Sequence, residues 1–305
     1  MTNSRKRLFL VGDNAFHGIS HLSQDNARSR GNSINSPEFA ADLVMTSLEN
    51  EANGFMFSVS ETTLTILKII HEKDPESRPE LYALVPYAFE YVRQATQIGI
   101  SGLAKNFTKQ IARSGNIGAT AMGLKGVLRM DPVTLLKTYV LYEISRIKSA
   151  AGKQANIASI VLHELITDIG LALSLDWLFK SFIEFMVNQG IKPGFNTRNF
   201  AYLVKKFDEW NINFNDVIIA APFNKVGFQM DPSKDECERA LASVDNGNVI
   251  AISILAAGYL APLDAIEYVQ SLPNILGVAV GVSKEKHAFE TFNFFKKNLT
   301  QNRFF

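Results

Sequence analysis

Eight short apolar runs recur along the chain, and a segment with helical spacing of apolar residues follows most of them. The runs cover residues 8–11, 54–59, 81–85, 159–162, 191–195, 216–220, 249–254 and 276–280. They are nearly continuous rather than alternating, which is typical of strands buried on both faces of a parallel sheet. Because parallel neighbours need crossover helices, this pattern predicts an α/β fold, a (β/α)8 TIM barrel.

A doubly wound open sheet is the structural alternative. The Gly-x-Gly-x-x-Gly turn of that fold is absent after the first run, which favours the barrel. Residues 88–156 are too many for one crossover, and we interpret them as a helical insertion after the third strand, with helices at 91–97, 104–113 and 132–147. The helix predicted after the fourth strand covers 173–187. We treat residues 1–305 as a single domain.

Composition excludes several classes of protein. The 31 Lys and Arg residues balance 30 Asp and Glu residues, so we expect no nucleic-acid partner. Cys237 is the single cysteine, which excludes an intramolecular disulfide and fits a reducing compartment. No apolar stretch approaches the roughly 20 residues of a membrane span. We therefore expect a soluble, cytoplasmic protein that acts on a small molecule and has no membrane partner.

Motifs in the second half of the chain resemble those of the aldo-keto reductase superfamily. They are Ile-Val-Leu-His at 160–163, Gly-Ile-Lys-Pro-Gly-Phe-Asn-Thr-Arg-Asn at 190–199, the segment 217–224 that ends in Asn, the segment 249–260, and Gly-Val-Ser at 281–283. Their order and spacing fit that family over residues 158–297. The resemblance implies a barrel that binds NADP and a catalytic set of Asp, Tyr, Lys and His, with His163 at the histidine position.

The first half departs from that catalytic set. Residues 54–61 contain neither the Asp nor the Tyr, and the third strand runs into Tyr87 where the family has its Lys. A barrel that lacks these groups has an alternative interpretation as a non-catalytic, ligand-binding protein.

Polar residues that follow the strands are the candidates for chemistry, because strand ends converge at the mouth of a barrel. Asp13 and His17 follow the first strand and His163 ends the fourth, and an imidazole there could act as general acid or base. Tyr87 and Glu61 are the remaining acid–base candidates.

The loop after the first strand also allows a metal site. His17 and His21 are four residues apart with Asp13 nearby, and this set could bind a divalent metal that polarises a substrate oxygen or activates water. The chain would then be a metal-assisted isomerase, lyase or hydrolase. Alternatively, these side chains only make hydrogen bonds within the loop.

The ends of the last four strands are candidates for cofactor and phosphate binding. An Arg fork binds carboxylate or phosphate, a glycine lets a ligand approach the backbone, and a helix N-terminus attracts anions. The residues concerned are Asn196, Arg198, Asn224, Gly258, Gly281, Ser283 and Lys284. Our leading hypothesis is an aldo-keto-reductase-like enzyme that acts on a small polar carbonyl or sugar-like substrate, with or without a phosphate. His163 would be its acid or base, with Asp13, His17 and Tyr87 as partners.

Overall fold

Eight parallel strands form a closed barrel in sequence order in the computed structural model, which describes residues 7–17, 36–86, 132–244 and 247–301. The strands are β1 (Leu8–Gly12), β2 (Gly54–Ser58), β3 (Glu80–Val85), β4 (Ile157–Leu162), β5 (Lys192–Asn196), β6 (Ile218–Pro222), β7 (Val249–Ile252) and β8 (Ile275–Gly281). Each overlaps one predicted run, and β8 pairs with β1 to close the sheet. The predicted (β/α)8 barrel is confirmed.

Helices cover the outside of the barrel. They are α1 (Pro37–Glu49), α2 (Glu61–Lys73), α3 (Pro132–Ala150), α4 (Glu164–Ala172), α5 (Asp176–Asn188), α6 (Phe200–Glu209), α7 (Lys234–Ser243), α8 (Pro262–Ser271) and α9 (Glu285–Gln301). None of these described helices combines the length and the apolar content that a membrane crossing requires.

The predicted helix after the fourth strand was wrong at its start. Residues 164–172 form α4, which had not been predicted, and α5 begins only at Asp176. Ser174 between them has a φ of +52°, a left-handed conformation that interrupts the helical path. Gly170 on α4 faces Phe179 of α5 so closely that an added Cβ would lie 2.9 Å from the ring, so the two helices pack tightly.

Helix α3 confirms the predicted helix at 132–147 and connects β3 to β4 on the outside of the barrel. The predicted helices at 91–97 and 104–113 lie outside the described residues. The larger part of the predicted insertion therefore stays a prediction.

Two apolar layers stabilise the barrel. A small inner layer fills it with side chains such as Leu8, Leu10 and Met56, and a larger outer layer lies between strands and helices. The seam between β1 and β8 needs a glycine, because a Cβ on Gly277 would lie 2.3 Å from the Leu8 carbonyl oxygen.

The register of β4 and β5 decides which side chains reach the mouth. Leu162 pairs with Phe195, and both belong to the outer core. Side chains alternate along a strand, so the residues that follow, His163 and Asn196, are neighbours on the inner face. These two side chains therefore lie side by side at the carboxyl end of the barrel, where barrel enzymes have their active sites.

Candidate active site

His163 is the single residue between the end of β4 and the start of α4. It is the N-cap of α4, and its Nδ1 accepts the backbone N–H of Leu165 at 3.2 Å. Nδ1 is thus the unprotonated nitrogen, and in the neutral ring Nε2 carries the hydrogen. The helix N-terminus therefore fixes the tautomer of this histidine.

Burial lowers the pKa of His163 below its ordinary value of 6.5. The Glu164 and Asp13 carboxylates oppose this effect, and the Arg198 guanidinium adds to it. The ring is accordingly neutral at neutral pH, and Nε2–H can donate a hydrogen bond to a carbonyl oxygen. His163 and Asp13 follow β4 and β1, so both lie at the carboxyl end of the barrel.

Asp13 and His17 form a buried pair after β1. Asp13 Oδ2 lies 3.0 Å from His17 Nε2 and also accepts the backbone N–H of Ser58, at 2.7 Å. Less than a tenth of either the Asp13 or the His17 side chain is exposed, at 8% and 7%. One carboxylate thus ties the end of β1 to the end of β2 and orients an imidazole, which is the carboxylate–histidine arrangement used in acid–base catalysis.

Asn196 presents an unused acceptor. The residue is 5% exposed, and its Oδ1 has no hydrogen-bond partner among the described residues. Leaving a buried amide oxygen unpaired costs about 1–3 kcal/mol, so its persistence points to a ligand that supplies an N–H or O–H. Asn196, one of the seven residues that the sequence analysis assigned to cofactor and phosphate binding, thus has a vacant acceptor at the mouth.

Two carboxylates of α4 hold the turn after β5. Glu164 receives the Arg198 guanidinium through Nε at 3.1 Å and Nη2 at 2.6 Å. Asp168 accepts the Thr197 hydroxyl and, at 3.3 Å, the backbone N–H of Arg198. The sequence analysis assigned the Arg198 guanidinium to a ligand carboxylate or phosphate. In the structure this group is paired with the carboxylate of Glu164.

The turn after β7 has an uncommon backbone. Ala256, Ala257 and Gly258 have consecutive φ values of +45°, +61° and +93°. Left-handed conformations cost a residue with a Cβ roughly 1 kcal/mol or more, and such segments concentrate at functional sites. Gly258 itself is exposed, and nothing lies within 4 Å of where its Cβ would be.

The loop after β8 leads into α9. Gly281 and Lys284 are exposed and Ser283 is half-buried. The carbonyl of Lys284, not Ser283, accepts the first helical N–H groups, those of His287 and Ala288. Helix α9 accordingly begins at Glu285, directly after Lys284.

Two predicted site residues are occupied in structural roles. The Asn224 amide bonds twice to the backbone of Phe228, both times at 2.8 Å, and so closes the loop after β6. Glu61 opens α2 with an 81% exposed side chain that pairs with Arg146. The Asn224 amide is thus engaged within its own loop, and the Glu61 carboxylate lies on the surface beside Arg146.

Tyr87 and His21 lie outside the described residues. Within the part of the chain that is described, no group of three His, Cys, Asp or Glu side chains converges as metal ligands would. The metal hypothesis retains Asp13 and His17 as a pair, without a third described ligand.

Sequence reasoning missed Asp168 and Thr197. Both are now part of the network beside Asn196. A signal was present, because Glu164 and Asp168 are four residues apart and therefore share one face of a helix. The spacing could be recognised only if a helix was predicted over residues 164–172, and none was.

The fold is also found in solved structures. Two proteins from Pseudomonas aeruginosa, each provisionally assigned as an aldo-keto reductase, match this chain. One has a TM-score of 0.59 at 11% identity and covers 97% of this chain and 92% of its own; the other has a TM-score of 0.56 at 11% identity and covers 97% and 91%. No family model matches the chain, and no curated protein matches its sequence. The chain thus shares the barrel fold of these two proteins over nearly its whole length.

Proposed function

We propose that this chain is an NADP-dependent reductase of small polar carbonyl compounds, with its active site at the mouth around His163 and Asn196. The proposal rests on two groups that lie side by side at the ends of adjacent strands. His163 offers a neutral N–H donor, and Asn196 offers a buried acceptor that no described residue uses. A carbonyl oxygen suits the first group, and a carboxamide N–H suits the second.

The residues present fit a nicotinamide cofactor at three points. Asn196 Oδ1 would accept an N–H of the nicotinamide carboxamide. In the left-handed turn at Ala256–Gly258, Gly258 is exposed and has no side chain to obstruct its backbone, as a diphosphate requires. The loop at Gly281–Lys284, before the N-terminus of α9, offers an exposed ammonium group for a further phosphate.

The chemistry divides among the chain's own residues. When bound, the reduced nicotinamide supplies a hydride to the carbonyl carbon. Nε2–H of His163 polarises the carbonyl oxygen, and the burial of the ring keeps it neutral for this purpose. An imidazolium at His17, held by the Asp13 carboxylate, would give up the proton that converts the resulting alkoxide to an alcohol, and the neutral ring would then regain a proton from water. The Asp13–His17 pair thereby replaces the Tyr and Lys that the family carries elsewhere.

The test is oxidation of NADPH by purified protein with a panel of small aldehydes, hydroxy-ketones and sugar phosphates. We expect carbonyl-dependent loss of NADPH absorbance that His163→Asn reduces about 100-fold. Oxidation that is equal without protein, or that His163→Asn leaves unchanged, would contradict the proposed site. Activity that instead requires added divalent metal and disappears in Asp13→Asn would favour the metal-assisted hypothesis.

The same proposal includes a cytoplasmic location. Cys237 is a buried thiol, and burial raises its pKa to about 11, so it is protected from oxidation rather than poised for it. The supply of reduced nicotinamide in that compartment fits the proposed reaction.

A further inference from the structure

Asp168 is hydrogen-bonded to Thr197, the residue that directly follows Asn196 in the sequence. Thr197 is fully buried, and its hydroxyl donates to Asp168 while accepting the backbone N–H of Asn199 at 2.9 Å. The hydroxyl has one hydrogen, so an acceptor at Asp168 decides its orientation.

Asp168 also accepts a hydrogen bond from the backbone of the same turn. Its other oxygen accepts the N–H of Arg198 at 3.3 Å, while the N–H of Thr197 donates to the Ala220 carbonyl at 3.0 Å. The peptide groups that follow Asn196 are therefore fixed from α4 on one side and from β6 on the other. Two fixed peptide groups leave the Asn196 side chain little freedom at its Cα.

We propose that Asp168 is a positioning residue that aims the Asn196 amide into the barrel mouth and so sets the affinity for the nicotinamide carboxamide. This inference rests on the proposed function, but its first consequence concerns the ligand-free protein. Nothing in the arrangement requires Asp168 to touch the ligand, because its two oxygens are taken by Thr197 and Arg198.

Asp168 keeps an ionisable carboxyl group in a partly buried position beside this turn. Burial raises the pKa of Asp168, and Thr197, Arg198 and Asn199 only partly offset this by hydrogen bonding. A group whose charged form is disfavoured in the folded state contributes stability at low pH that is lost as the pH rises through its raised pKa. At neutral pH the charged form of Asp168 is therefore disfavoured by burial, and its hydrogen bonds with Thr197 and Arg198 offset this only in part.

The test compares Asp168→Asn with Thr197→Val, Thr197→Ser and the double variant Asp168→Asn/Thr197→Val. Asp176→Asn is the control, since Asp176 is an exposed carboxylate of α5 that pairs with Lys180 at 3.0 Å. The first readout is the side-chain amide signal of Asn196 by NMR in the ligand-free protein. We expect one ordered signal in wild type, Thr197→Ser and Asp176→Asn, and an averaged signal in Asp168→Asn and Thr197→Val.

The second readout is NADPH affinity by calorimetry. Supporting groups of this kind typically change affinity roughly 10-fold, so we expect about a 10-fold weaker affinity in Asp168→Asn and Thr197→Val, no further loss in the double variant, and wild-type affinity in Thr197→Ser. An ordered Asn196 signal in both Asp168→Asn and Thr197→Val overturns the positioning role whatever the ligand. Wild-type protein that shows the predicted NMR pattern but binds no NADPH overturns the proposed cofactor and leaves the positioning of Asn196 intact.

Discussion

The backbone N–H of Leu165 donates to Nδ1 of His163, so the ring at the barrel mouth also caps the helix that follows it. This double role separates two properties that mutation can test independently. Capping requires only an acceptor, whereas polarising a carbonyl requires the Nε2–H donor.

We therefore expect His163→Asn and His163→Ala to differ in stability but not in activity. Asn is a good N-cap, so it should retain the free energy of unfolding, while Ala should lose about 1 kcal/mol. Both should reduce carbonyl turnover about 100-fold, because both lack the imidazole. Chemical unfolding and NADPH oxidation measure the two effects, and equal stability of the two variants would show that the cap contributes nothing.

The lowered pKa of His163 has a consequence for stability against pH. The unfolded chain takes up a proton near the ordinary value of 6.5, while the folded chain resists it. Stability is therefore present above that value and lost as the pH falls from there toward the lowered folded-state pKa. Unfolding curves between about pH 7 and about pH 5 should show a steeper loss in wild type than in His163→Asn. Parallel curves would mean that His163 titrates normally in the folded protein.

Asp13 should be more sensitive to truncation than to amide substitution. Asp13→Ala leaves the partly buried backbone N–H of Ser58 without its acceptor, which costs about 1 kcal/mol or more. Asp13→Asn keeps an oxygen for Ser58 and should lose less. Both variants should lose most activity, because His17 no longer has its carboxylate partner. An Asp13→Asn enzyme with full turnover would remove the pair from the mechanism.

The left-handed turn after β7 predicts an uncommon response to glycine. Ala257 has a φ of +61°, so Ala257→Gly should relieve strain and leave the protein as stable as wild type or up to about 1 kcal/mol more stable. Ala265, buried in α8, is the matched control, and Ala265→Gly should cost about 1 kcal/mol. Thermal unfolding of the two variants measures the contrast, and an equal loss in both would mean that Ala257 is not strained.

The barrel could be predicted from sequence because its signal is repeated and local. A strand such as β6, in which every residue is buried, lies against apolar groups on both faces and therefore reads as a continuous apolar run. Even β5, which contains Pro193 and Gly194, was recognisable from its place in the series. Gly194 has a packing reason there, since a Cβ would lie 2.8 Å from Val161.

The site could be predicted only in part. The positions of His163 and Asn196 followed from the rule that strand ends converge, but the roles of Arg198 and Asn224 did not. Whether an Arg or an Asn serves a ligand or the protein depends on which groups lie beside it in space, here Glu164 and the Phe228 backbone. Single-sequence reasoning has no access to such contacts between separate elements.

The most direct test of the account is calorimetric titration of NADPH into wild-type protein and into Asn196→Leu. Leu is close to Asn in size but has no acceptor, so it should fill the same space and remove only the hydrogen bond. We predict saturable binding to wild type and an affinity about 10-fold lower for Asn196→Leu, the equivalent of 1.4 kcal/mol. Equal affinity of the two proteins, or no binding to the wild type, would contradict the claim that this barrel mouth holds a nicotinamide.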